Sequence, residues 1–208
     1  MSKFTEYVGS QFGNPRGFIG TLSCVIMNIM NRAMYRRTIS LLQIDSKGNM
    51  LDIGYGNGHF IKLAYKKYHP NIYGIDISKD MKNTAEQRNS KAKAEGKLHL
   101  TVGNCCELQY EDGFFDAVTS INTIYFWDDT LKGLQEIYRT LKPGGTFYNV
   151  VYTKEFLQKL PYTRTGFKFF TPDDYRRMGE QAGFSEISVR EISKGKNFVV
   201  IYKNVFRI

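Results

Sequence analysis

Between Leu51 and Gly58 the chain reads Leu-Asp-Ile-Gly-Tyr-Gly-Asn-Gly, a short apolar run that ends in glycines at every second position. Glycine inside a helix or strand costs about 0.5–1 kcal/mol relative to alanine, so this spacing marks a sharp turn with close backbone approach. The residues that follow, His59 to Tyr68, carry apolar side chains at helical spacing. A strand running through a glycine turn into a helix presents amide donors and the positive end of the helix dipole to a polar or anionic ligand. Asp76 closes the next strand-like run about 20 residues later, where an acid reaches ribose hydroxyls in nucleoside-binding folds. The third glycine of a Gly-x-Gly-x-x-Gly dinucleotide fingerprint would stand at His59, which disfavours a nicotinamide cofactor. No Gly-Lys-Ser or Gly-Lys-Thr follows, which excludes a phosphate-binding P-loop.

The rest of the chain alternates in the same way. Strand-like runs fall at 50–53, 72–75, 98–102, 115–119 and 146–151, with helices expected near 58–68, 78–94 and 129–141. Ser78 is a suitable N-cap for the second helix, and Lys142-Pro-Gly-Gly145 closes the third. This alternation predicts an α/β fold, a Rossmann-like, doubly wound and mostly parallel sheet with helices on both faces. After Val151 comes a long aromatic and basic connection, Thr153 to Phe170. Thr171-Pro172 then opens a helix ending at Gly183, and strands over 184–192 and 197–202 meet across a turn short enough to make them antiparallel. A length of 208 residues suits one compact domain. Its expected division is an N-terminal helical extension or lid, 1–45, and a ligand-binding domain, 46–208, with 153–171 as a substrate-side insertion.

The 29 Lys and Arg against 20 Asp and Glu leave +9, a statement about association rather than fold. The cations sit in small groups such as Arg36-Arg37, Lys66-Lys67 and Arg176-Arg177, interrupted by acids, so no nucleic-acid tract stands out. Cys24, Cys105 and Cys106 are odd in number and cannot frame a disulfide-stapled secreted domain, which points to a reducing cytoplasm. His59, His69 and His99 lack ligand spacing, and no structural zinc is expected. The apolar stretch 17–30 is too short to span a membrane and runs on into Asn31, Arg32 and Tyr35 in a helical pattern. Peripheral contact is the most that it suggests.

With these residues in view, the chain from about 50 to 203 resembles a class I S-adenosylmethionine-dependent methyltransferase of the small-molecule, type 11-like kind. Asp52-Ile-Gly-Tyr-Gly-Asn-Gly58 resembles the family's first motif, and Gly74-Ile-Asp76-Ile-Ser78 the second, whose acid binds both ribose hydroxyls. Gly103-Asn-Cys-Cys-Glu-Leu108 stands where the family has a Gly-Asp-Ala motif that reads adenine; Asn104 replaces the acid and keeps an accepting carbonyl oxygen. Phe115-Asp-Ala-Val118, Leu141-Lys-Pro-Gly-Gly145 and Ala182-Gly-Phe184 are similar to the later landmarks. The resemblance implies a seven-stranded sheet with only the last strand antiparallel. It also implies S-adenosylmethionine as cofactor, with contacts at Asp52, Gly54, Gly56, Gly58, Asp76, Ile77, Met81, Asn104, Cys105 and Asn122.

Methyl transfer from a sulfonium is an in-line displacement whose leaving group becomes neutral, so alignment and exclusion of water are the enzyme's main tasks. Related natural-product enzymes often place a histidine near the position of Tyr125 or Phe126, and this chain has none there. Tyr125 is the candidate catalytic residue, although a phenol with an ordinary pKa near 10 is a poor base and suits an active-site wall better. Asn122-Thr-Ile-Tyr125 lacks both prolines of the amine-methylating Asn-Pro-Pro-Tyr motif. Cys105 and Cys106 stand beside the expected adenine rather than the methyl group. The N-terminal extension, with Met27, Met30, Met34 and Tyr35, and the aromatic residues of 153–170 are the expected covers of the cleft. The acceptor expected is a small, apolar or aromatic molecule. Methylation of RNA or a lipid headgroup, and cofactor binding without catalysis, are the competing readings.

Overall fold

The computed structural model describes residues 27–205. The strands are β1 (Asn49–Ile53), β2 (Asn71–Asp76), β3 (Leu98–Val102), β4 (Phe115–Ile121), β5 (Leu141–Tyr152), β6 (Glu186–Ser193) and β7 (Asn197–Lys203). The helices are α1 (Arg32–Leu41), α2 (His59–Tyr68), α3 (Lys79–Arg88), α4 (Ser90–Ala94), α5 (Thr130–Thr140), α6 (Lys154–Gln158) and α7 (Pro172–Ala182), with 3-10 turns at Ile124–Phe126 and Pro161–Thr163. The strands form one sheet in the order β3-β2-β1-β4-β5-β7-β6. β7 runs antiparallel to both its neighbours, and the other pairings are parallel.

The burial follows from this order. β1, β4 and β7 lie inside the sheet with helices over them, and their side chains are buried almost without alternation, as a sheet covered on both faces requires. β6 is an edge strand and stays half exposed. The sheet's direction of winding reverses between β1 and β4, which opens a crevice beyond their carboxyl ends. Asp52 pairs in register with Gly74 on one side and Thr119 on the other, so the first motif is flanked by both strands that bear on the crevice.

Three boundaries depart from expectation. The helix expected over 78–94 is two helices, α3 and α4, meeting at buried Asn89, whose Nδ2 donates to Gly58 O (3.0 Å) and Ala85 O (2.9 Å). The break ties the glycine turn to α3. Lys142 to Gly145 already belong to β5: Leu141 pairs with Phe115, and Lys142 Nζ reaches both oxygens of Asp116 at 2.8 Å. The connection after Tyr152 contains α6 and a 3-10 turn, because Thr153 caps α6 by accepting from the Phe156 N–H.

Of the N-terminal extension, residues 1–26, including Cys24, lie outside the described residues. From Met27 onward the chain is helical, and α1 packs Met34, Tyr35 and Thr38 inward against α2 and the β5-β7-β6 side of the sheet. The Tyr148 hydroxyl donates to Leu41 O (3.0 Å) and fixes the helix end. No helix among the described residues is long and apolar enough to cross a membrane.

Candidate cofactor and acceptor site

The glycine turn is shaped by contacts on both sides. Gly54 has φ of 69°, and a Cβ there would lie 2.3 Å from Thr123 Cγ2, so strand and turn can approach only through glycine. Thr123 is itself held by the Trp127 indole N–H (3.2 Å) and by Ser120 (2.7 Å). Gly58 faces away from the cleft, where a Cβ would meet Asn89 and Ala85. The Gly56 N–H donates to Asp76 Oδ2 (2.8 Å), and the Ser78 N–H to Asp76 Oδ1 (2.8 Å). Asp76 thus ties the two motifs together, with the Ile77 amide as a further donor to its carboxylate. Burial raises its pKa, and the amides oppose that shift.

These residues line a cleft of about 180 Å3 with Asp52, Gly54, Gly56, Asp76, Ile77, Asn104, Cys105 and Asn122 on its walls. Two expected contacts are not brought there. Gly58 packs on α3, and Met81 is 2% exposed, turned into the core as the third residue of α3. Ile77 is 55% exposed, an apolar wall for a flat ring one residue beyond Asp76. Asn104 Oδ1 accepts the Cys106 N–H (2.9 Å), and its Nδ2 donates to Asp128 Oδ2 (2.9 Å). Asp128 therefore brings a carboxylate to the position where the expected acid is missing, which no local pattern signalled. Burial pushes the Cys105 thiol up, so it stays protonated at neutral pH.

Asp52 sits at the end of β1, fully buried, its Oδ1 accepting from the Thr119 hydroxyl (2.7 Å). Burial pushes its pKa up to about 7, opposed by the Thr119 bond and reinforced by Asp76. His59, at the first turn of α2, also lines the cleft. Its Nδ1 accepts from Arg88 (3.3 Å), and burial together with Arg88 and Lys62 lowers its pKa.

A second, apolar chamber of about 40 Å3 adjoins the cleft and shares Met27, Asn31, Asn122 and Phe126 with it. Met30, Tyr125, Tyr152, Leu157, Leu160, Tyr162 and Phe167 complete its wall. The N-terminal helical segment and the 153–171 insertion thus face each other across it. Lys168 fastens the insertion by donating from Nζ to the carbonyls of Trp127 (2.5 Å) and Asp128 (2.8 Å). Tyr125 is 2% exposed, and its oxygen accepts the Tyr152 N–H (2.6 Å). Burial holds its phenol well above the usual tyrosine range, so the hydroxyl is a wall and hydrogen-bonding group at neutral pH. Asn28, Asn31 and Asn57 also reach the site. Asn31 had no sequence signal, because its partner Asn122 is 91 residues away.

A doubly wound sheet with a glycine turn, a diol-sized carboxylate after β2 and an exposed apolar wall beside it defines a nucleoside-binding α/β protein. A family model described as "Methyltransferase domain" matches residues 51–149. The uncharacterized methyltransferase YdaC of Bacillus subtilis is 33% identical over 121 residues, 58% of this chain and 65% of that protein. The ubiquinone/menaquinone biosynthesis C-methyltransferase UbiE of a Geobacter species is 26% identical over 220 residues, covering 99% of this chain and 92% of the other. The chain spans under two thirds of the first of these relatives. The structure of Haemonchus contortus phosphoethanolamine N-methyltransferase 2 with phosphomonomethylethanolamine and S-adenosylhomocysteine superposes with a TM-score of 0.70 at 19% identity, covering 85% of this chain and 53% of that one. Residues 51–149 are thus similar to a methyltransferase domain, the relatives named are methyltransferases, and a chain of this fold has been seen with S-adenosylhomocysteine bound. The residues present fit S-adenosylmethionine: the exposed face of Ile77 offers an apolar surface to a base, and Asp76 brings a carboxylate to the cleft wall beside it.

Proposed function

We propose that this protein transfers a methyl group to a small apolar or aromatic acceptor bound in the chamber between the N-terminal helical segment and the 153–171 insertion. The observation that carries this reading is the junction of the two cavities at Met27, Asn31, Asn122 and Phe126. A molecule in the chamber abuts the cleft there and is walled from water by aromatic side chains. When bound, S-adenosylmethionine would supply an electrophilic methyl on a sulfonium. The chain's own residues would bind and align it: Asp76 would take the ribose hydroxyls, Ile77 and the Gly103–Cys105 turn would flank the base, Asp128 and Asn104 would face its polar edge, and Asp52 would lie toward the methionine end. The name of the Geobacter relative, a quinone-pathway C-methyltransferase, fits an aromatic ring acceptor.

The same cleft in a protein of net charge +9 is lined by the carboxylates of Asp52, Asp76 and Asp128, which favours a cationic ligand over an anionic one. Calorimetric titration with S-adenosylmethionine, followed by labelled-methyl transfer to a panel of phenols, quinols and aliphatic enols, tests the proposal. Wild-type protein is expected to bind, and Asp76→Asn to lose at least tenfold in affinity, since one acceptor oxygen becomes an amide. Equal binding by that variant would remove the assigned ribose site, and bound cofactor with no methylated acceptor would remove the assigned reaction.

A further inference from the structure

Side-chain amides can be flipped without changing their shape, but the chain of hydrogen bonds beside the chamber favours one direction for two of them. It starts at a group that can only donate, the Tyr152 backbone N–H, which gives its proton to the Tyr125 oxygen at 2.6 Å. The Tyr125 hydroxyl proton is thereby left for an acceptor, Asn122 Oδ1 at 3.2 Å or the Tyr152 carbonyl at 3.4 Å. The shorter bond places the amide nitrogen of Asn122 at the other end, where it donates to Asn31 Oδ1 at 2.9 Å and meets Met34 Sδ, a weak acceptor, at 3.4 Å. The Tyr152 hydroxyl donates to the same oxygen at 3.0 Å. Both lone pairs of Asn31 Oδ1 are then used, and its Nδ2 must be the remaining end.

Asn31 Nδ2 has no hydrogen-bond acceptor among the described residues, although the residue is only 5% exposed and lines both the cleft and the apolar chamber. The backbone supports this orientation. Asn122 has φ of 60°, an uncommon conformation for a residue other than glycine, and its own N–H is tied to Val150 O at 2.9 Å. Strain held at a cavity wall by several bonds is characteristic of residues placed for a ligand. Tyr152, which anchors both ends of the chain, lines the chamber and not the cleft, so the donor belongs to the acceptor side of the junction.

We infer that Asn31 is a substrate-positioning residue whose amide N–H takes a carbonyl or phenolate oxygen of the methyl acceptor, in a chamber whose other walls are mostly apolar. This rests on the proposed function above and narrows its acceptor to molecules bearing such an oxygen near the methylated atom. An unmet donor on a mostly apolar wall discriminates against a ligand without an acceptor atom, since the N–H would lose water on binding and gain nothing.

The test uses the full chain loaded with S-adenosylhomocysteine and two probes of nearly equal shape, acetophenone and α-methylstyrene, which differ by C=O against C=CH2. In NMR titration of wild-type protein, acetophenone is expected to move the Asn31 side-chain amide signals, and α-methylstyrene to leave them in place. Asn31→Asp keeps an oxygen for Asn122 and Tyr152 but removes the donor. It is expected to weaken acetophenone about five- to tenfold while leaving α-methylstyrene unchanged. The wild-type amide shifts need no variant and stand even where Asn31→Asp folds poorly. Equal effects of the substitution on both probes, a loss confined to S-adenosylhomocysteine affinity, or binding of neither probe to the loaded wild-type protein would each overturn the assignment of Asn31. Failure of wild-type protein to bind S-adenosylhomocysteine would overturn the cofactor site and this inference together.

Discussion

Replacing Asp52 by Asn should make the cofactor-free protein more stable, and by an amount that grows with pH. Asp52 is fully buried with a pKa raised from 3.8 to about 7, mainly by loss of water. A raised acid pKa means that the folded state binds the proton more tightly than the unfolded chain. The penalty for ionisation is therefore absent below the unfolded value, grows as pH rises between 3.8 and about 7, and is flat above. A shift of roughly three units corresponds to about 4 kcal/mol at the plateau, and about 2–3 kcal/mol of this develops between pH 5 and pH 8. Asn can keep the Thr119 bond through its Oδ1 and has no charge to desolvate. Thermal unfolding of the two proteins at pH 5 and pH 8 should show the wild-type Tm falling relative to Asp52→Asn by roughly 5–10 °C over that interval. Asp76 is raised in the same direction, but it is common to both proteins and largely cancels in the difference. Parallel Tm profiles would refute the reasoning, because they would mean that Asp52 ionises with an ordinary pKa and is solvated in the cleft. The same carboxylate would attract a sulfonium or ammonium, so the stabilised variant should bind S-adenosylmethionine more weakly at pH 8, a trade of affinity for stability.

Two further substitutions probe the walls. Gly54→Ala brings a Cβ to 2.3 Å from Thr123 Cγ2 at a φ of 69°, and urea unfolding should show a loss of about 2–5 kcal/mol. Gly56→Ala meets no atom within 4 Å and should lose only the backbone term, about 1–2 kcal/mol; equal losses at the two sites would contradict the contact with Thr123. Lys168→Gln weakens the fastening of the insertion to the Trp127 and Asp128 carbonyls, and hydrogen exchange of amides in 160–170 should accelerate about fivefold, roughly 1 kcal/mol for an exposed cation, with the core strands unchanged. Unaltered exchange would show that the aromatic contacts of Phe167 hold the segment without the lysine.

Much of the architecture was legible because its causes are local. The apolar runs at β1, β2 and β4 are continuous because both sheet faces are covered, and glycines at alternate positions can only be a turn. The short Ser193–Lys196 link required the antiparallel β6-β7 pair, and Thr171-Pro172 with Asp174 spells the capping box that starts α7. The break between α3 and α4 was not legible, since Asn89 ends the helix by bonding to Gly58, on a different element. Met81 shows the same limit: its place after the second motif suggested the cofactor, and the rotation of α3 sends it into the core.

By itself, the order of residues settled the alternating fold, the nucleoside-type turn and the acid after β2, each written within a few neighbouring positions. Packing alone set the charge state of Asp52, which depends on how much water the surrounding helices exclude. It alone brought Asp128 beside Asn104, and it alone turned the amide of Asn31 toward the chamber through partners 91 and 121 residues distant. Periodicity reports which face of an element is apolar. Desolvation and hydrogen-bond direction arise only when faces from remote parts of the chain meet, and the chemistry of this site resides in those two quantities.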